Sequence, residues 1–421
     1  MSARHCYIRP LHQNSASYLR EIKVDPIVVA LVDTQWTGHH PLYFDAFASC
    51  LLRLGCTVMA VCPSPDEVMA NASCTRDVPE RASLSKWDPP QFKFSPRRLT
   101  IPLSNRLGQV WLRHHLHRLE RTHGRKIDFV FFACLYDRFL RLLSPSFPWP
   151  WAGLYLQIQW DLQGSSLDQA TIHPEIAKFF CSPNLRGVAL LDESAVPAFS
   201  EITHCRNVIV FPDFASETAP VDNPISRALR KLAMSRRIVG MAGHLTPNKG
   251  VATLAEVAFM MRQEDVCFAF VGEYSSELFS RAQQDLIGRV RTQSNVFFHP
   301  ERIPCNSVWN GIFSCFDVCF AAYENFPHSS STVSKSAFFR VPIIVSDGFL
   351  MGDRVRRHRL GRVVPQRDAT AIVNAVRDLL CNTNVRIAEA DAQDYLERYS
   401  LANLDVAMRS LLQSAGLVLK S

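Results

Sequence analysis

Residues 238–250, IVGMAGHLTPNKG, combine an apolar run with glycines and a lysine at a spacing suited to binding phosphate. The run ends at Gly243, a short loop holds Lys249 and Gly250, and a helical pattern begins at Val251. Where a strand leads into a helix, unpaired N–H groups and the helix dipole attract anions, and Lys249 adds a full positive charge. The same residues also suit an ordinary strand-to-helix connection with the lysine in solvent.

Two more strand ends in the second half carry residues of a similar kind. The run FVGE (270–273) reaches Gly272, and the stretch Ser329, Ser330, Ser331, Thr332 stands directly before a helical pattern. Hydroxyls and free N–H groups at that helix start could hold a second face of a diphosphate. A plain Ser/Thr helix cap would explain the stretch on its own.

A polar loop also follows the first predicted strand. Residues 33–44, DTQWTGHHPLYF, contain Thr37, Gly38, His39 and His40. Gly38 would allow a ligand to approach the backbone closely, and the two histidines could hydrogen-bond a sugar or a phosphate. Alternatively, they are loop histidines and one of them caps the helix. No other His or Cys has the spacing of a partner in a zinc site, so we expect no metal.

The composition is that of a globular protein with two or three domains. The chain has 421 residues, of which 47% are hydrophobic and 20% charged, and the formal net charge of +7 permits an anionic substrate or membrane surface without selecting nucleic acid. The 13 cysteines are scattered and lack CxxC spacing, which favours reduced thiols in a cytosolic protein. Neither a signal peptide nor an apolar run approaching about 18 residues is evident.

Short apolar runs alternate with helical patterns, which is typical of parallel sheets. We predict strands at 27–33, 57–63, 128–136, 153–160, 187–192, 207–213, 237–243, 266–272, 295–300, 317–322, 342–347 and 362–365. We predict helices over 43–54, 106–123, 251–263, 276–290, 305–314, 331–340, 369–381 and 384–416, and an irregular region over 64–104.

The order of these features resembles the C-terminal domain of GT-B glycosyltransferases, specifically the retaining family-4 (group 1) type. Those proteins carry a G-R-L-x-x-x-K-G loop, a V-G-x-G strand end, and an E-x7-E segment that runs into a helix and P-V-I. The likeness covers residues 236–381 and, more weakly, 26–214. It implies an α/β GT-B fold, in which two Rossmann-like, doubly wound domains face each other across a cleft and helices follow at the C-terminus.

The predicted domain boundaries follow from this resemblance and from the predicted elements. They comprise an N-terminal extension (1–25), an acceptor-side domain (26–214), a linker (215–236), a donor-binding domain (237–383) and C-terminal helices (384–421).

The resemblance also assigns donor-binding residues. Lys249 matches the lysine that contacts the donor diphosphate, and Gly243 and Gly250 match its flanking glycines. His244 stands where the family keeps arginine, and Gly272 matches the strand-end glycine. Ser330, Ser331 and Thr332 are assigned to the same donor site.

The E-x7-E segment departs from the family pattern. Its second Glu, which holds the donor ribose, falls on Lys335, which could contact phosphate instead. Its first Glu falls on Pro327, with Glu324 close enough to serve near the transferred sugar if the loop is longer. Gly38, His39 and His40 resemble the glycine loop of the N-terminal domain. We therefore assign Glu324 and His39 as catalytic candidates, and Gly38 and His40 to the donor.

Other polar groups follow predicted strands or form basic clusters. Asp137, Gln159 and Asp161 stand where the family often keeps a histidine, and Asp192-Glu193 and Pro212-Asp213 suit an interdomain hinge. A basic cluster in 113–126 could dock on anionic headgroups or form a solvated helix face. From a second cluster, one or two side chains could reach the donor; its members are Arg354, Arg356, Arg357, His358, Arg359 and Arg362.

The expected function is transfer of a sugar from a nucleotide sugar to a saccharide or lipid-linked acceptor. Lys249, the helix start near Ser331 and His244 would stabilise the leaving diphosphate without a metal or other cofactor. The alternative is a non-catalytic GT-B module that binds a glycan or a partner enzyme. An NAD-dependent oxidoreductase is disfavoured because no GxGxxG follows a predicted strand. We expect a cytoplasmic protein, at most peripheral on a membrane, that binds no nucleic acid.

Overall fold

The computed structural model describes residues 25–36, 38–71, 81–89, 97–135, 147–162, 170–172, 176–177, 180, 182–381 and 385–419. These residues build two all-parallel sheets, of seven and six strands, and one small antiparallel pair. Each large sheet has a buried apolar cluster on both faces, so the chain forms two Rossmann-like domains.

The first sheet lies in the N-terminal half, and its strands are ordered β3-β2-β1-β4-β5-β8-β9. In chain order the elements are β1 (Val28–Val32), α1 (His40–Arg53), β2 (Thr57–Cys62), α2 (Pro65–Asn71), β3 (Ala82–Lys86), α3 (Arg97–His123), β4 (Phe129–Leu135), β5 (Trp151–Tyr155), β6 (Trp160–Leu162), β7 (Ala170–Ile172), β8 (Leu185–Leu190), α4 (Val196–Thr203) and β9 (Val208–Val210). Strands β6 and β7 form the antiparallel pair.

Helices on both faces explain why β1 is apolar at every position. Val29 and Leu31 belong to the same buried cluster as α1, whereas Val28 and Val32 belong to the cluster that contains Leu112 of α3. A strand covered on two sides reads as a continuous apolar run rather than an alternating one. That is the pattern from which the sequence predicts the strand.

The expectation of an irregular region over 64–104 is wrong. Helix α2 and strand β3 lie inside it, and α3 begins at Arg97 rather than at 106. Strand β3 (ASLSK) is an edge strand that is only half-buried, so it lacks the apolar run that marks a central strand.

The second sheet has the strand order β12-β11-β10-β13-β14-β15. Its elements are α5 (Pro224–Ala233), β10 (Arg237–Ala242), α6 (Val251–Met260), β11 (Val266–Val271), α7 (Arg281–Val290), β12 (Val296–His299), α8 (Asn306–Phe313), β13 (Val318–Ala321), α9 (Ser331–Phe339), β14 (Ile343–Ser346), α10 (Leu350–Arg357), β15 (Gly361–Val364) and α11 (Ala369–Leu380). Helix α5 lies within the stretch predicted as a linker. Helix α10 has no predicted counterpart, because its eight-residue sequence LMGDRVRR is rich in charge and has only three large apolar side chains.

Two further helices, α12 (Glu389–Tyr399) and α13 (Leu401–Ser414), follow the second sheet. Helix α12 packs against the second domain, where Tyr395 is fully buried. Helix α13 returns to the first domain, and its residues Leu404, Met408 and Leu411 belong to the same core as α1. The chain therefore passes between the domains twice. In the described part of the chain we find no helix with the length and apolar character needed to span a bilayer.

The strand order reverses beside β1 in the first sheet and beside β10 in the second. In open parallel sheets, ligands bind outside the carboxyl ends of strands at such a switch point. The loops that leave β1, β10 and β13 are therefore the expected place for a site, and they hold the sequence-predicted residues.

Candidate functional site

Glycines shape the loop that follows β10. Gly243 and Gly272 have φ of 118° and 137°, and a Cβ on Gly272 would lie 1.8 Å from the carbonyl oxygen of Gly243. Gly250 has φ of 72°, and a Cβ at this position would lie 2.6 Å from the carbonyl oxygen of Ala322. Side chains are excluded at these points, so neighbouring strand-end loops can pack backbone against backbone.

Lys249 ends a short 3-10 turn in this loop and is half-buried. Its Nζ lies 5.4 Å from the centroid of the Tyr323 ring and 3.7 Å from the point that a Cβ on Gly243 would occupy. Among the described residues, no carboxylate lies within 4.0 Å of this ammonium group. A half-buried cation without a counter-ion, resting on an aromatic face, is suited to receive an anionic ligand. His244 is exposed on the same loop.

The start of α9 and Lys249 both contact Tyr323. Tyr323, whose ring underlies the Lys249 ammonium, has its hydroxyl 3.3 Å from Thr332 Oγ1. Ser330 is the N-cap, and its Oγ accepts a hydrogen bond from the Thr332 N–H at 3.4 Å. Ser330 therefore caps the helix, and Ser330, Ser331 and Thr332 are all buried. Their contact with a donor stays a prediction.

His39 faces this group from the first domain. Its side chain is accessible to solvent, yet surrounding protein lowers its pKa, as expected inside a cleft. The negative charge of Asp213 opposes this shift, and the positive charges of Lys249 and Lys335 add to it. His39 is therefore near both lysines of the second domain. Gly38 precedes it with φ of 62°, and Thr37 lies outside the described residues.

A family model described as glycosyl transferases group 1 matches residues 236–382. This segment is therefore similar to the glycosyl transferases group 1 family. It contains β10, the Lys249 loop, the start of α9 and Lys335, so the second-domain side of the cleft lies within the matched segment.

Solved structures similar to this chain are GT-B glycosyltransferases. Sucrose-phosphate synthase from Thermosynechococcus elongatus is 15% identical with a TM-score of 0.66, and the match covers 92% of this chain and 98% of that one. HepE from Anabaena, in complex with UDP and glucose, is 13% identical with a TM-score of 0.65 over 93% and 100%. WaaG, a glycosyltransferase of lipopolysaccharide biosynthesis, is 13% identical with a TM-score of 0.61 over 93% and 100%. No curated protein sequence matches the chain. The GT-B fold of two Rossmann-like domains is confirmed.

Glu324, which lies within the matched segment, is already paired. Its Oε1 accepts a hydrogen bond from Thr253 Oγ1 at 2.9 Å, and its Oε2 accepts one from Arg367 Nε at 2.5 Å. Its N–H donates to the carbonyl of Asn248 at 2.7 Å, which places it beside the lysine loop. The carboxylate is thus directed toward α6 and Arg367. A catalytic role for Glu324 would require it to leave these partners.

Lys335 is also engaged. Its side chain is 2% exposed, its Nζ donates to Asn310 Oδ1, and it lies 3.9 Å from the centroid of the Trp309 ring. Burial lowers the pKa of Lys335 to about 7. The amide of Asn310 in turn donates to the carbonyls of Ser216 and Thr218 between the domains, at 3.1 and 2.6 Å. The lysine therefore lies beneath the connecting segment, and contact with a donor would require it to leave Asn310.

His40 does not join His39 in the cleft. It is buried, and its Nδ1 lies 2.9 Å from both carboxylate oxygens of Asp33. The Cys134 thiol completes a group of three possible metal ligands within 4.8 Å of one another. Burial raises the pKa of Cys134 well above its usual value, so its thiol stays protonated. We interpret the group as a hydrogen-bonded anchor for α1.

The second basic cluster is largely neutralised by carboxylates. Arg356 pairs with Asp347 and Asp353, Arg359 with Asp391, Arg362 with Asp378 and His358 with Asp394. In the other cluster, α3 exposes His114, His117, Arg118, Arg121 and His123, while His115 is buried. Of the middle strand ends, Gln159 is exposed, whereas Asp137 and the side chain of Asp161 lie outside the described residues.

A polar network under the cleft has little signature in the sequence. Tyr43 donates to Asp213 Oδ1 at 2.8 Å, and Ser329 Oγ donates to Asp213 Oδ2 at 2.5 Å. Arg354 donates to Ser329 Oγ at 2.6 Å and to Glu193 Oε2 at 2.6 Å. The only sequence signal was the position of Asp213 and Glu193 after strands, from which an interdomain role is predicted.

Proposed function

We propose that this protein transfers a sugar from a nucleotide-sugar donor to a saccharide or lipid-linked acceptor, with retention of the anomeric configuration. The observation that carries the proposal is Lys249, a half-buried ammonium without a carboxylate partner among the described residues, at the switch point of a group 1 domain. HepE, with the same fold, has been solved with UDP-glucose. This supports a nucleotide diphosphate as the anion.

The chemistry requires stabilisation of charge that develops on the leaving diphosphate. Lys249 would hold that charge electrostatically, together with the start of α9, and no resident metal is needed. His39, whose pKa is lowered by the surrounding protein, is neutral near pH 7 and can donate or accept a hydrogen bond at a sugar hydroxyl. We therefore place the transferred sugar between His39 and Lys249.

The first test is binding of UDP and UDP-glucose by calorimetry to the wild type, Lys249→Ala and Lys231→Ala. Lys231 is an exposed lysine in the last turn of α5 and serves as the control. Loss of a charge-assisted hydrogen bond costs about 1.5–3 kcal/mol, so Lys249→Ala should weaken binding roughly 10- to 150-fold. Equal affinities for the two variants would refute the assignment of Lys249. A wild type that binds none of a panel of nucleotides and nucleotide sugars would refute the enzyme proposal.

A second candidate function is a non-catalytic module that binds a glycan or a partner enzyme. It is favoured by the pairing of Glu324 with Arg367 and by Lys335 in place of a glutamate. Release of glucose from UDP-glucose separates the two candidates. Turnover that is lost in His39→Ala supports the transferase, whereas donor binding without hydrolysis or transfer, with any acceptor tried, supports the module.

We also propose that α3 contacts anionic lipid headgroups when the acceptor is lipid-linked. Its exposed basic side chains carry this proposal. Each cation near such a surface contributes about 1 kcal/mol. Cosedimentation with phosphatidylglycerol vesicles should fall roughly tenfold or more in Arg121→Glu, relative to wild type. Binding equal to that on phosphatidylcholine would contradict the proposal.

A further inference from the structure

Arg354 is an arginine with 1% of its surface exposed, located where the two domains meet. Its Nη2 donates to the Leu191 carbonyl and to Glu193 Oε2, both at 2.6 Å, and these residues follow β8 of the first domain. Its Nη1 donates to Ser329 Oγ at 2.6 Å, in the loop that leads into α9 of the second domain. A buried guanidinium needs partners for its donors, and Arg354 takes them from both domains.

Glu193 is held by a second group as well. The Tyr399 hydroxyl of α12 donates to Glu193 Oε1 at 2.7 Å, and the Arg354 guanidinium lies 4.2 Å from the centroid of the Tyr399 ring. Burial opposes ionisation of Glu193, but hydrogen bonding and the charge of Arg354 keep its pKa below the usual value. The pair is therefore ionised at neutral pH.

The hydrogen bonds continue from Arg354 to the acceptor side of the cleft. Ser329 Oγ, which accepts from Arg354, donates to Asp213 Oδ2, and Asp213 Oδ1 accepts from the Tyr43 hydroxyl. Tyr43 lies in the first turn of α1, and its N–H donates to the carbonyl of His39 at 3.1 Å. An unbroken series of hydrogen bonds thus begins at Glu193, passes through Ser329, the residue before the α9 N-cap, and ends at the His39 carbonyl.

We propose that Arg354 is a positioning residue, which holds the start of α9 against the His39 loop so that the donor site is assembled from both domains. The proposal deepens the proposed function and rests on it for the nature of the ligand. Two covalent connections alone would leave the domains free to rotate about them. The series of hydrogen bonds through Ser329 fixes one arrangement of the two domains, because the serine hydroxyl accepts from Arg354 and donates to Asp213 at the same time.

A purely structural role would confine Arg354 to holding α12 on the first domain through Glu193 and Tyr399. Ser329→Ala distinguishes the two roles. It breaks the link between Arg354 and Asp213, while the contacts of Arg354 with Leu191 and Glu193 remain. This variant also keeps the proposal falsifiable if Arg354→Met fails to fold.

The test compares Ser329→Ala, Arg354→Met and the double variant with wild type, and uses Arg377→Met as a control. Arg377 forms an exposed ion pair with Glu264, on the far side of the second domain's core. We expect Ser329→Ala and Arg354→Met each to weaken UDP binding at least tenfold by calorimetry. The double variant should bind no more weakly than Arg354→Met, and Arg377→Met should match wild type. Additive losses, or wild-type affinity in Ser329→Ala, would overturn the proposal.

Small-angle scattering of the ligand-free protein provides a readout that does not depend on the ligand. A larger radius of gyration in Ser329→Ala and Arg354→Met than in wild type is the expected result. Radii equal to wild type in both variants would overturn the positioning role. If wild type binds none of the panel of nucleotides and nucleotide sugars, the proposed function fails, while the scattering comparison still decides whether Arg354 sets the domain arrangement.

Discussion

Lys335→Met measures the free-energy cost of burying an amine that has no carboxylate partner. The amine contacts Asn310 Oδ1 and the Trp309 ring, and no carboxylate of the described residues lies within 4.0 Å of it. Burial lowers its pKa from 10.5 to about 7. The unfolded chain therefore binds the extra proton between these pH values, and the folded chain does not.

The sign and size of the effect follow from this difference. Because the folded pKa is depressed, the destabilisation is complete below pH 7 and fades as the pH rises toward 10.5. At 1.36 kcal/mol per pKa unit, the full effect is about 5 kcal/mol, and its change between pH 6 and pH 9 is about 3 kcal/mol. Wild type should gain that much in free energy of unfolding relative to Lys335→Met over this range.

The assay is urea unfolding of both proteins at pH 6, 7, 8 and 9, with Lys231→Met as the exposed control. In Lys335→Met, Asn310 loses a partner, which costs about 1–3 kcal/mol at every pH and leaves the slope unchanged. Groups that titrate in both proteins cancel in the difference. Parallel profiles for wild type and Lys335→Met would refute the reasoning, since they would show an amine that keeps its ordinary pKa.

Four other perturbations have defined outcomes. Gly272→Ala places a Cβ 1.8 Å from the Gly243 carbonyl, so calorimetry should show a lower melting temperature and weaker UDP binding. Gly288→Ala, which meets no atom within 4 Å, should stabilise by about 0.5–1 kcal/mol; a lower melting temperature there would contradict this. Burial lowers the pKa of His115 to about 4, so wild type should lose stability relative to His115→Phe as the pH falls from about 6.5 to 4. Equal losses in urea unfolding at pH 4.5 would contradict that. Leu411→Ala, fully buried in α13, should destabilise by about 2–5 kcal/mol and speed hydrogen exchange in β1; exchange confined to α13 would exclude this coupling.

The parallel strands could be predicted because burial on two faces requires uninterrupted apolar runs. Polar elements were beyond that signal. Strand β3 lies at a sheet edge and is only half-buried, and α10 is short and rich in arginine, so neither has the long apolar pattern that predicts a strand or a helix. The GT-B fold was predictable from the order of motifs, since that order survives changes at individual positions.

The placement of the candidate site residues was predictable where backbone geometry decides it. Gly243, Gly272 and Lys249 follow from the position of strand ends, which the sequence reveals. Side-chain direction was not predictable, because distant partners set it: Glu324 is turned by Arg367, 43 residues away. Arg354 shows the same limit, since a basic residue in a basic run suggests a surface position and only the meeting of two domains buries it.

The return of α13 to the first domain has a consequence for the order in which the protein forms. Helix α1 and its neighbouring strands are synthesised before residues 224–399, and α13 emerges from the ribosome only after them. The second domain therefore has all of its strands while the first still lacks Leu404, Met408 and Leu411 from its core. During that interval the nascent chain presents an uncovered apolar surface on α1, where a chaperone would bind. The half that is synthesised first is thus completed last.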